Sequence, residues 1–260
     1  GIRTEFSIGD IERFRMDPAV LYRSRPAGII IDEIGEGTLN LPGEFEFIRP
    51  LTASPLKFTC TGPHMLAKIL TDRHYGDPER VAMAVAEVLR SQLSRIPAEL
   101  IQLDEASISG YPEDSEWALR AINHVLDGIA GMKAVHICFG NYGGQSVQRG
   151  FWKSLMPFLN ELHANHLVLE FARRGYDELV AFKMLNPEIG LGLGVVDIKD
   201  NGIETADLIA RRIDHAIQIL GEETIHFIHP DCGFWMLPRN VADGKMRALV
   251  EGRDRFEGRD

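Results

Sequence analysis

Cysteine is scarce in this sequence, with only Cys60, Cys138 and Cys232 in a chain of 260 residues. A small and odd number of cysteines argues against a disulfide framework and leaves thiols for metal binding or chemistry. Long apolar runs are also missing, since no segment approaches the roughly 18 residues that a membrane span requires. The N-terminus lacks the basic and apolar layout of a signal peptide. These absences predict a soluble, cytoplasmic protein.

Basic residues are outnumbered by acidic ones, 28 Lys and Arg against 38 Asp and Glu, which gives a formal net charge of −10. A chain with this balance repels phosphate backbones and anionic membranes, so neither nucleic acid nor a membrane is an expected partner. Hydrophobic residues make up 45% of the chain. That content is enough to bury a core at this length and argues against disorder.

Short apolar runs alternate with amphipathic segments from residue 56 to the C-terminus. The pattern predicts strands at 56–62, 100–105, 134–140, 166–172, 190–197 and 224–231. It predicts helices at 78–96, 115–129, 178–185, 205–220 and 241–256. Apolar strands separated by helices are typical of a covered parallel sheet, and repeats of roughly 34 residues indicate the α/β class and a (β/α)8 TIM barrel.

The first 55 residues do not supply two further βα units. We expect a helix at 8–15 and a hairpin-like insertion near 28–50, with strands at 28–34 and 44–48. The chain also lacks an initiating methionine, so we expect that some N-terminal barrel strands are missing from it. The prediction is a single catalytic domain over residues 1–260. An open doubly wound sheet is the alternative, although no GxGxxG motif follows a predicted strand.

Polar residues that can bind a metal or a substrate recur where the predicted strands end. They are Asp104, Glu105, His136, Cys138, Glu170, Asp197, Asp231 and Cys232. From strand to strand they are spaced by about one βα unit, so all of them fall at carboxyl ends. In a barrel, that face carries the active site.

His136 and Cys138 are two residues apart and project to the same side of a strand. Together with Cys232 and Glu170 they offer two thiolates, one imidazole and one carboxylate, a set that suits tetrahedral zinc. Each residue alone has a simpler interpretation, because a buried cysteine behaves as a small hydrophobe and a strand histidine is usually hydrogen-bonded in the core. The recurrence of all four favours a metal site. Cys60 is expected to pack in the core.

Several segments resemble the catalytic barrel of cobalamin-independent methionine synthase and its single-barrel relatives. They are KFTCTGP at Lys57, IQLDEA at Ile101, HICFG at His136, LVLEFARRG at Leu167, GLGVVDIKD at Gly192 and HPDCG at His229. The resemblance runs in order from about residue 56 to the C-terminus. It implies a zinc ion that is held by His136, Cys138, Glu170 and Cys232. It also implies that Asp104 binds the amino group of a homocysteine-like substrate.

Two positions depart from this resemblance. The family has a histidine two residues after the aspartate of its VxDxH strand end, proposed as a proton relay, whereas Lys199 follows Asp197 here. Lysine can donate a proton, but an unperturbed pKa near 10.4 makes it a poorer relay unless it is desolvated. Lys199 could instead pair with Asp197 or with an anionic donor. The second departure is Ala106, where the family has proline.

Further candidate contacts lie in loops and near the N-terminus. Arg173 and Arg174 could hold an anionic substrate group, and Phe234 and Trp235 could wall the pocket, although solvated arginines and packed aromatic rings are simpler interpretations. Glu5 resembles a family glutamate that binds the substrate amine. A flexible turn is expected at Asn141, Gly143 and Gly144.

The resemblance and the residue pattern together predict a zinc-dependent methyltransferase of methionine biosynthesis. We expect it to activate a small-molecule thiol, homocysteine-like, as a zinc thiolate and to methylate it, with Asp104, Asp197 and Lys199 as catalytic residues. The methyl donor, a folate or a corrinoid protein, is left open. The alternatives are zinc-dependent alkylation of another thiol, such as addition of coenzyme M to an epoxide, and a non-catalytic zinc-bearing barrel.

Overall fold

Strands and helices alternate along the chain, which is described here from a computed structural model covering residues 1–16, 25–141, 146, 148–235 and 237–259. The strands are β1 Ile2–Arg3, β2 Ile29–Ile30, β3 Lys57–Thr61, β4 Thr71–Asp72, β5 Leu100–Asp104, β6 Met132–Ile137, β7 His166–Leu169, β8 Gly190–Val196 and β9 Ile225–Pro230. The α-helices are α1 Ile8–Arg15, α2 Leu41–Ile48, α3 Pro63–Ile69, α4 Pro78–Leu93, α5 Ser115–Leu126, α6 Trp152–Asn160, α7 Ala206–Leu220 and α8 Arg239–Phe256. The chain divides into two compact units, Gly1–Ala134 and Val135–Asp260.

The predicted alternation is confirmed from residue 57 onward, with a strand at each predicted place; the strands are shorter than predicted, and β6 begins two residues earlier. The helix predicted at 178–185 is a 3-10 helix at Asp177–Met184. Two short helices, α3 and α6, were not predicted from the sequence. Helix α3 begins two residues after the end of β3, where the apolar pattern of the strand obscures the start of the helix.

The prediction of a strand at 44–48 is wrong, because these residues belong to α2. The side chain of Asn40 accepts a hydrogen bond from the Gly43 amide and caps the helix, and Pro42 lies in its first turn. Leu41 and Phe45 are both buried, and their spacing of four residues puts them on one helical face. The strand predicted at 28–34 is reduced to β2, which pairs antiparallel with β1 and parallel with β4.

In the first unit, β3 and β5 form a parallel pair with Lys57 opposite Leu100 and Thr61 opposite Asp104. Helix α4 begins at Pro78, as predicted, and is capped by Asp77, whose side chain accepts a hydrogen bond from the backbone of Glu79. Its buried face packs against α3 and α5. The apolar face of α4 is therefore buried against its neighbouring helices.

In the second unit, β7, β8 and β9 are parallel neighbours. All seven residues of β8 are buried, as expected of a strand that is covered on both faces. Helix α7 is capped by Thr205 and packs against α8. The class is therefore mixed α/β with a mostly parallel sheet. The strands of the described residues do not form a closed sheet, so the (β/α)8 TIM barrel that we predicted, with some N-terminal strands missing, is not confirmed.

The organisation as a single domain over residues 1–260 stays a prediction. A search of the described residues finds no helix with the length and apolar character needed to cross a membrane.

A buried carboxylate joins two parts of the first unit. Glu105 follows β5, is fully buried, and accepts hydrogen bonds from the backbone amides of His64 at 3.0 Å and Met65 at 2.8 Å. These amides belong to the first turn of α3, where orphan donors attract a carboxylate. Gly62 makes the approach possible, because a Cβ there would lie 2.2 Å from Glu105 Oε1. Burial raises the pKa of Glu105 to about 8.

We expect Glu105 to make the stability of the protein depend on pH. Its pKa is raised from 4.5 to about 8 in the folded state, so the folded chain binds this proton more tightly than the unfolded chain. The resulting stabilisation is fully present below pH 4.5 and is lost as pH rises toward 8. Between pH 5 and 8 the free energy of unfolding should fall by up to about 1.4 kcal/mol per pH unit from this group.

Urea unfolding of the wild type and of Glu105→Gln across this pH range measures the effect. Glutamine is neutral at every pH, so the variant should lose the Glu105 part of the slope, whatever its absolute stability. Parallel stability curves for the two proteins would contradict the expectation.

Candidate metal centre

Three side chains that were predicted as metal ligands meet in the second unit. His136 lies in β6, Cys138 directly after it, and Cys232 two residues beyond the end of β9. One ligand atom from each of the three lies within 4.8 Å of the others. The carboxyl ends of β6 and β9, two strands that are separated by β7 and β8 in the sheet, thus bring together residues that are 96 positions apart in the chain.

A hydrogen bond fixes the ring of His136. Its Nδ1 lies 2.8 Å from the carbonyl oxygen of Val168 in β7, so Nδ1 carries the proton and donates it. The lone pair of a neutral imidazole is then on Nε2, which lies 3.5 Å from Cys232 Sγ. This is the arrangement by which proteins orient a metal-binding histidine through its other ring nitrogen.

The donor set and its spacing fit zinc. Bond lengths of about 2.0 Å to nitrogen and 2.3 Å to sulfur, at a tetrahedral angle, put the two ligand atoms about 3.5 Å apart. The Nε2 to Sγ distance of 3.5 Å agrees with this value. The Cys138 thiol also forms a hydrogen bond with Cys232, which lowers the pKa of Cys232 and raises that of Cys138. One sulfur is therefore disposed to be a thiolate, the form that binds metal.

Glu170, the fourth predicted ligand, directly follows β7 and is fully buried. Its Oε2 lies 2.7 Å from Nζ of Lys199, whose side chain is 1% exposed. Its Oε1 has no hydrogen-bond partner among the described residues. The carboxylate therefore has one oxygen engaged with an ammonium group and one buried oxygen without a partner.

Asp231, which the sequence places at a predicted strand end without a specific role, is a central residue of the site. It is buried directly before Cys232 and accepts hydrogen bonds of 2.9 Å each from the backbone amides of Phe171, Ala172 and Arg173. The segment after Glu170 is thereby attached to the segment that carries Cys232. Burial raises the pKa of Asp231 to about 7 despite these hydrogen bonds. The only signal in the sequence is an acidic residue next to a candidate ligand.

Alternate glycines in β8 provide the space for these side chains. A Cβ at Gly194 would lie 2.2 Å from Asp231 Oδ1 and 2.8 Å from the carbonyl oxygen of Leu169. A Cβ at Gly192 would lie 3.1 Å from the ring of His229, and one at Gly190 would overlap the ring of His226. The run GLGLG is thus explained by the volume that side chains of β9 and its following turn require.

The other predicted residues of this unit are held in ion pairs or loop contacts. Arg173 Nη1 lies 3.2 Å from Asp197 Oδ2, and the backbone amide of Lys199 donates to Asp197 Oδ1 at 2.8 Å. Lys199 thus contacts Asp197 through its backbone and Glu170 through its ammonium group. The exposed Trp235 donates from Nε1 to the carbonyl oxygen of Asn141 at 3.3 Å, which joins the loops after β9 and β6.

The remaining candidates belong to the first unit or lie outside the described residues. Asp104 ends β5 and accepts a hydrogen bond of 2.8 Å from Gln102, while Glu5 is exposed and accepts one from Arg3 through its backbone. Their roles with substrate stay predictions. Cys60 lies in β3, and burial raises the pKa of its thiol to about 12. Gly143 and Gly144 lie outside the described residues.

Substitution of Gly194 tests whether the β8 glycines determine the geometry of the site. Gly194→Ala should lower the free energy of unfolding by about 1–3 kcal/mol, because the new methyl group must displace Asp231 or the backbone of Leu169. Gly35→Ala is the matched control, since a Cβ at Gly35 meets nothing within 4 Å. Equal urea midpoints for the two variants would show that β8 can accept a methyl group at position 194 and would contradict the expectation.

Comparison with known proteins identifies relatives over most of the chain. Residues 20–253 match the family described as "Cobalamin-independent synthase, Catalytic domain". A methionine synthase of Sulfurisphaera tokodaii is 30% identical over 216 residues, which cover 82% of this chain and 60% of the relative. A methionine synthase of Pyrococcus abyssi is 31% identical over 212 residues, with 80% of this chain and 59% of the relative covered.

The fold is similar to that of a B12-independent methionine synthase from Shewanella sp. W3-18-1, solved in complex with selenomethionine. The TM-score is 0.79 at 21% identity, and the match covers 89% of this chain and 70% of that one. The chain spans about three fifths of the length of the curated relatives that it matches. With its matching residues extending over most of the sequence, the chain belongs to the family of cobalamin-independent synthase catalytic domains.

Proposed function

We propose that this chain carries the zinc site of a B12-independent methyltransferase that methylates a thiol, as in methionine synthesis. The observation that carries the proposal is the meeting of His136, Cys138 and Cys232 at the carboxyl ends of β6 and β9, with the imidazole already oriented by Val168. Membership of the family supports the same activity. Zinc itself is proposed from the chemistry of the donors.

The His136, Cys138 and Cys232 donors suit a catalytic zinc site because they supply three firm ligands. Structural zinc sites are closed by four protein ligands, whereas catalytic sites keep one position for water or substrate. A zinc ion held here would lower the pKa of a substrate thiol far below its free value near 8.5 and supply a thiolate at neutral pH. The described residues of the second unit offer Glu170 as a weaker fourth donor, because its carboxylate is already paired with Lys199.

The protein side chains hold this geometry before any substrate binds. Val168 fixes the tautomer and direction of His136. Asp231 holds the backbone after Glu170 against the segment that carries Cys232. Both contacts are buried, so water does not compete with them, and a site that needs little rearrangement on binding lowers the cost of positioning the thiol.

We propose a homocysteine-like amino acid as the thiol. The relatives are named methionine synthases, and the Shewanella structure contains selenomethionine, the selenium analogue of a methylated homocysteine. Asp104 and Glu5 are the proposed partners of its amino group, and Arg173 and Trp235 further substrate contacts. Asp197 and Lys199 are the proposed catalytic residues beside the metal ligands. The methyl donor, a folate or a corrinoid protein, stays open.

We expect the purified chain to bind about one zinc ion per molecule. Cys138→Ser and Cys232→Ser should each lose most of the metal, since an alcohol is a far weaker ligand than a thiolate. Cys60→Ala is the control and should retain the metal, because Cys60 is a half-buried neutral thiol in the first unit. Metal analysis after dialysis measures all three. A folded wild type without zinc, or equal loss from all variants, would exclude this site.

Addition of the thiol should change the metal's surroundings. We expect X-ray absorption of the zinc protein to show one more sulfur neighbour after addition of homocysteine, in place of a lighter atom. Methylfolate, methylcobalamin and a small epoxide then serve as alkyl donors, each with homocysteine and with coenzyme M. An unchanged zinc environment with both thiols would contradict thiol activation, and turnover with coenzyme M and epoxide alone would reassign the reaction.

A further inference from the structure

One face of the β3 and β5 pair carries a line of polar side chains. Gln102 and Asp104 are two residues apart in β5 and therefore project to the same side. Lys57 lies opposite Leu100 in the parallel register, so it is a diagonal neighbour of Gln102 on that side. Lys57 Nζ lies 2.6 Å from Gln102 Oε1, and Gln102 Nε2 lies 2.8 Å from Asp104 Oδ1. The three side chains thus form two linked hydrogen bonds that end on the carboxylate of Asp104.

The direction of these hydrogen bonds is fixed by the groups at the two ends. An ammonium group only donates hydrogen bonds, and an ionised carboxylate only accepts them. The amide of Gln102 must therefore turn its oxygen to Lys57 and its NH2 group to Asp104. Gln102 is 7% exposed, and a buried amide is costly unless its polar atoms are paired. The amide consequently has one favourable orientation, in which it donates to Asp104.

Asp104 is held at its backbone as well. Its carbonyl oxygen accepts a hydrogen bond of 2.9 Å from the amide of Gly62, and Thr61 lies opposite it in the parallel register. The hydrogen bond from Gln102 to Oδ1 then restricts the rotation of the carboxylate. A binding group that is already oriented loses less conformational entropy when it meets its ligand, so binding is stronger.

We propose that Gln102, oriented by Lys57, is a positioning residue that holds the carboxylate of Asp104 for the amino group of the thiol substrate. The proposal rests on the proposed function, in which Asp104 binds that amino group. It makes Gln102 a determinant of specificity, because it favours thiols with an ammonium group over thiols without one. A purely structural role is different, since a distorted fold would weaken the binding of both kinds of thiol alike.

Two thiols that differ only in the amino group test this role. Homocysteine carries the amino group, and 4-mercaptobutyrate has the same thiol and carboxylate without it. Calorimetric titration of the zinc-loaded protein measures the dissociation constant of each. Gln102→Met keeps an unbranched side chain and removes the donor. Homocysteine should then bind about tenfold more weakly, as expected when a hydrogen bond to a charged group is lost, and 4-mercaptobutyrate should stay within about twofold of the wild type.

Thr59→Val is the matched control, because Thr59 lies opposite Gln102 on the same face and takes part in neither hydrogen bond. Both dissociation constants should stay within about twofold of the wild type in this variant. Asp104→Asn tests whether Gln102 acts through the carboxylate. In that background, Gln102→Met should not weaken homocysteine binding further. A further loss in the double variant, or equal weakening of both thiols in Gln102→Met, would overturn the proposal.

Lys57 provides a second test if Gln102→Met does not fold, since an exposed side chain can be replaced at little cost to stability. Lys57→Met should weaken homocysteine binding by about threefold and leave 4-mercaptobutyrate unchanged, because the amide loses one of the two partners that orient it. Lys57→Arg still donates to Gln102 and should stay close to the wild type. Without a folded Gln102→Met, unchanged binding of homocysteine by Lys57→Met would overturn the proposal.

Failure of this proposal is distinguishable from failure of the proposed function. A wild type that binds neither thiol, or binds both with equal affinity, removes the proposed contact of Asp104 with the amino group and this inference with it. A wild type that prefers homocysteine, with the same preference in Gln102→Met, removes only the role of Gln102.

Discussion

The second unit depends on the hydrogen bonds that one buried carboxylate accepts from a neighbouring turn. Asp231 accepts hydrogen bonds from three consecutive backbone amides, those of Phe171, Ala172 and Arg173. Three parallel amides in a turn form a concave site for an anion, and here the anion is a side chain of the protein. Glu170 precedes the first amide and Cys232 follows the carboxylate, so the contact sets the spacing between two of the proposed ligands.

Buried charge is concentrated around this contact, and each charge has a defined partner. Glu170 faces Lys199, and Glu204 faces Lys245, with Asp197 connecting the two pairs through backbone hydrogen bonds. Such pairs contribute little to stability when compared with apolar packing, because the cost of desolvation offsets their attraction. These ion pairs are therefore better explained by their effect on geometry, since they fix the positions of the polar groups in this unit, than by a gain in stability.

Much of the fold could be predicted from residue types and their periodicity. The apolar runs from residue 57 onward correspond to strands, and the helix that was predicted from residue 78 does begin at Pro78. The strand predicted at 44–48 failed because α2 has two buried residues four positions apart, too few to establish a helical period in a short segment. Closure of the sheet could not follow from the alternation, since a barrel and an open sheet share the same local pattern.

The candidate ligands could be predicted because metal chemistry restricts residue types, and His136, Cys138 and Cys232 do meet. The contacts that hold these ligands in place could not be predicted. They are made by the carbonyl oxygen of Val168 and the amides around Phe171, which are backbone groups common to every sequence. The partner of Lys199 was equally open, since any nearby carboxylate satisfies an ammonium group.

The alternate glycines of β8 have a consequence for how such sites change over time. Gly190, Gly192 and Gly194 contribute no functional group, yet each is the only residue whose size leaves the neighbouring side chains in place. A mutation there that retains every ligand and every charge would still move the carboxylate of Asp231 or the ring of His229. The glycines of β8 thus define the space that the site occupies. Substitution at these positions is restricted by side-chain volume, just as substitution of the ligands is restricted by their chemistry.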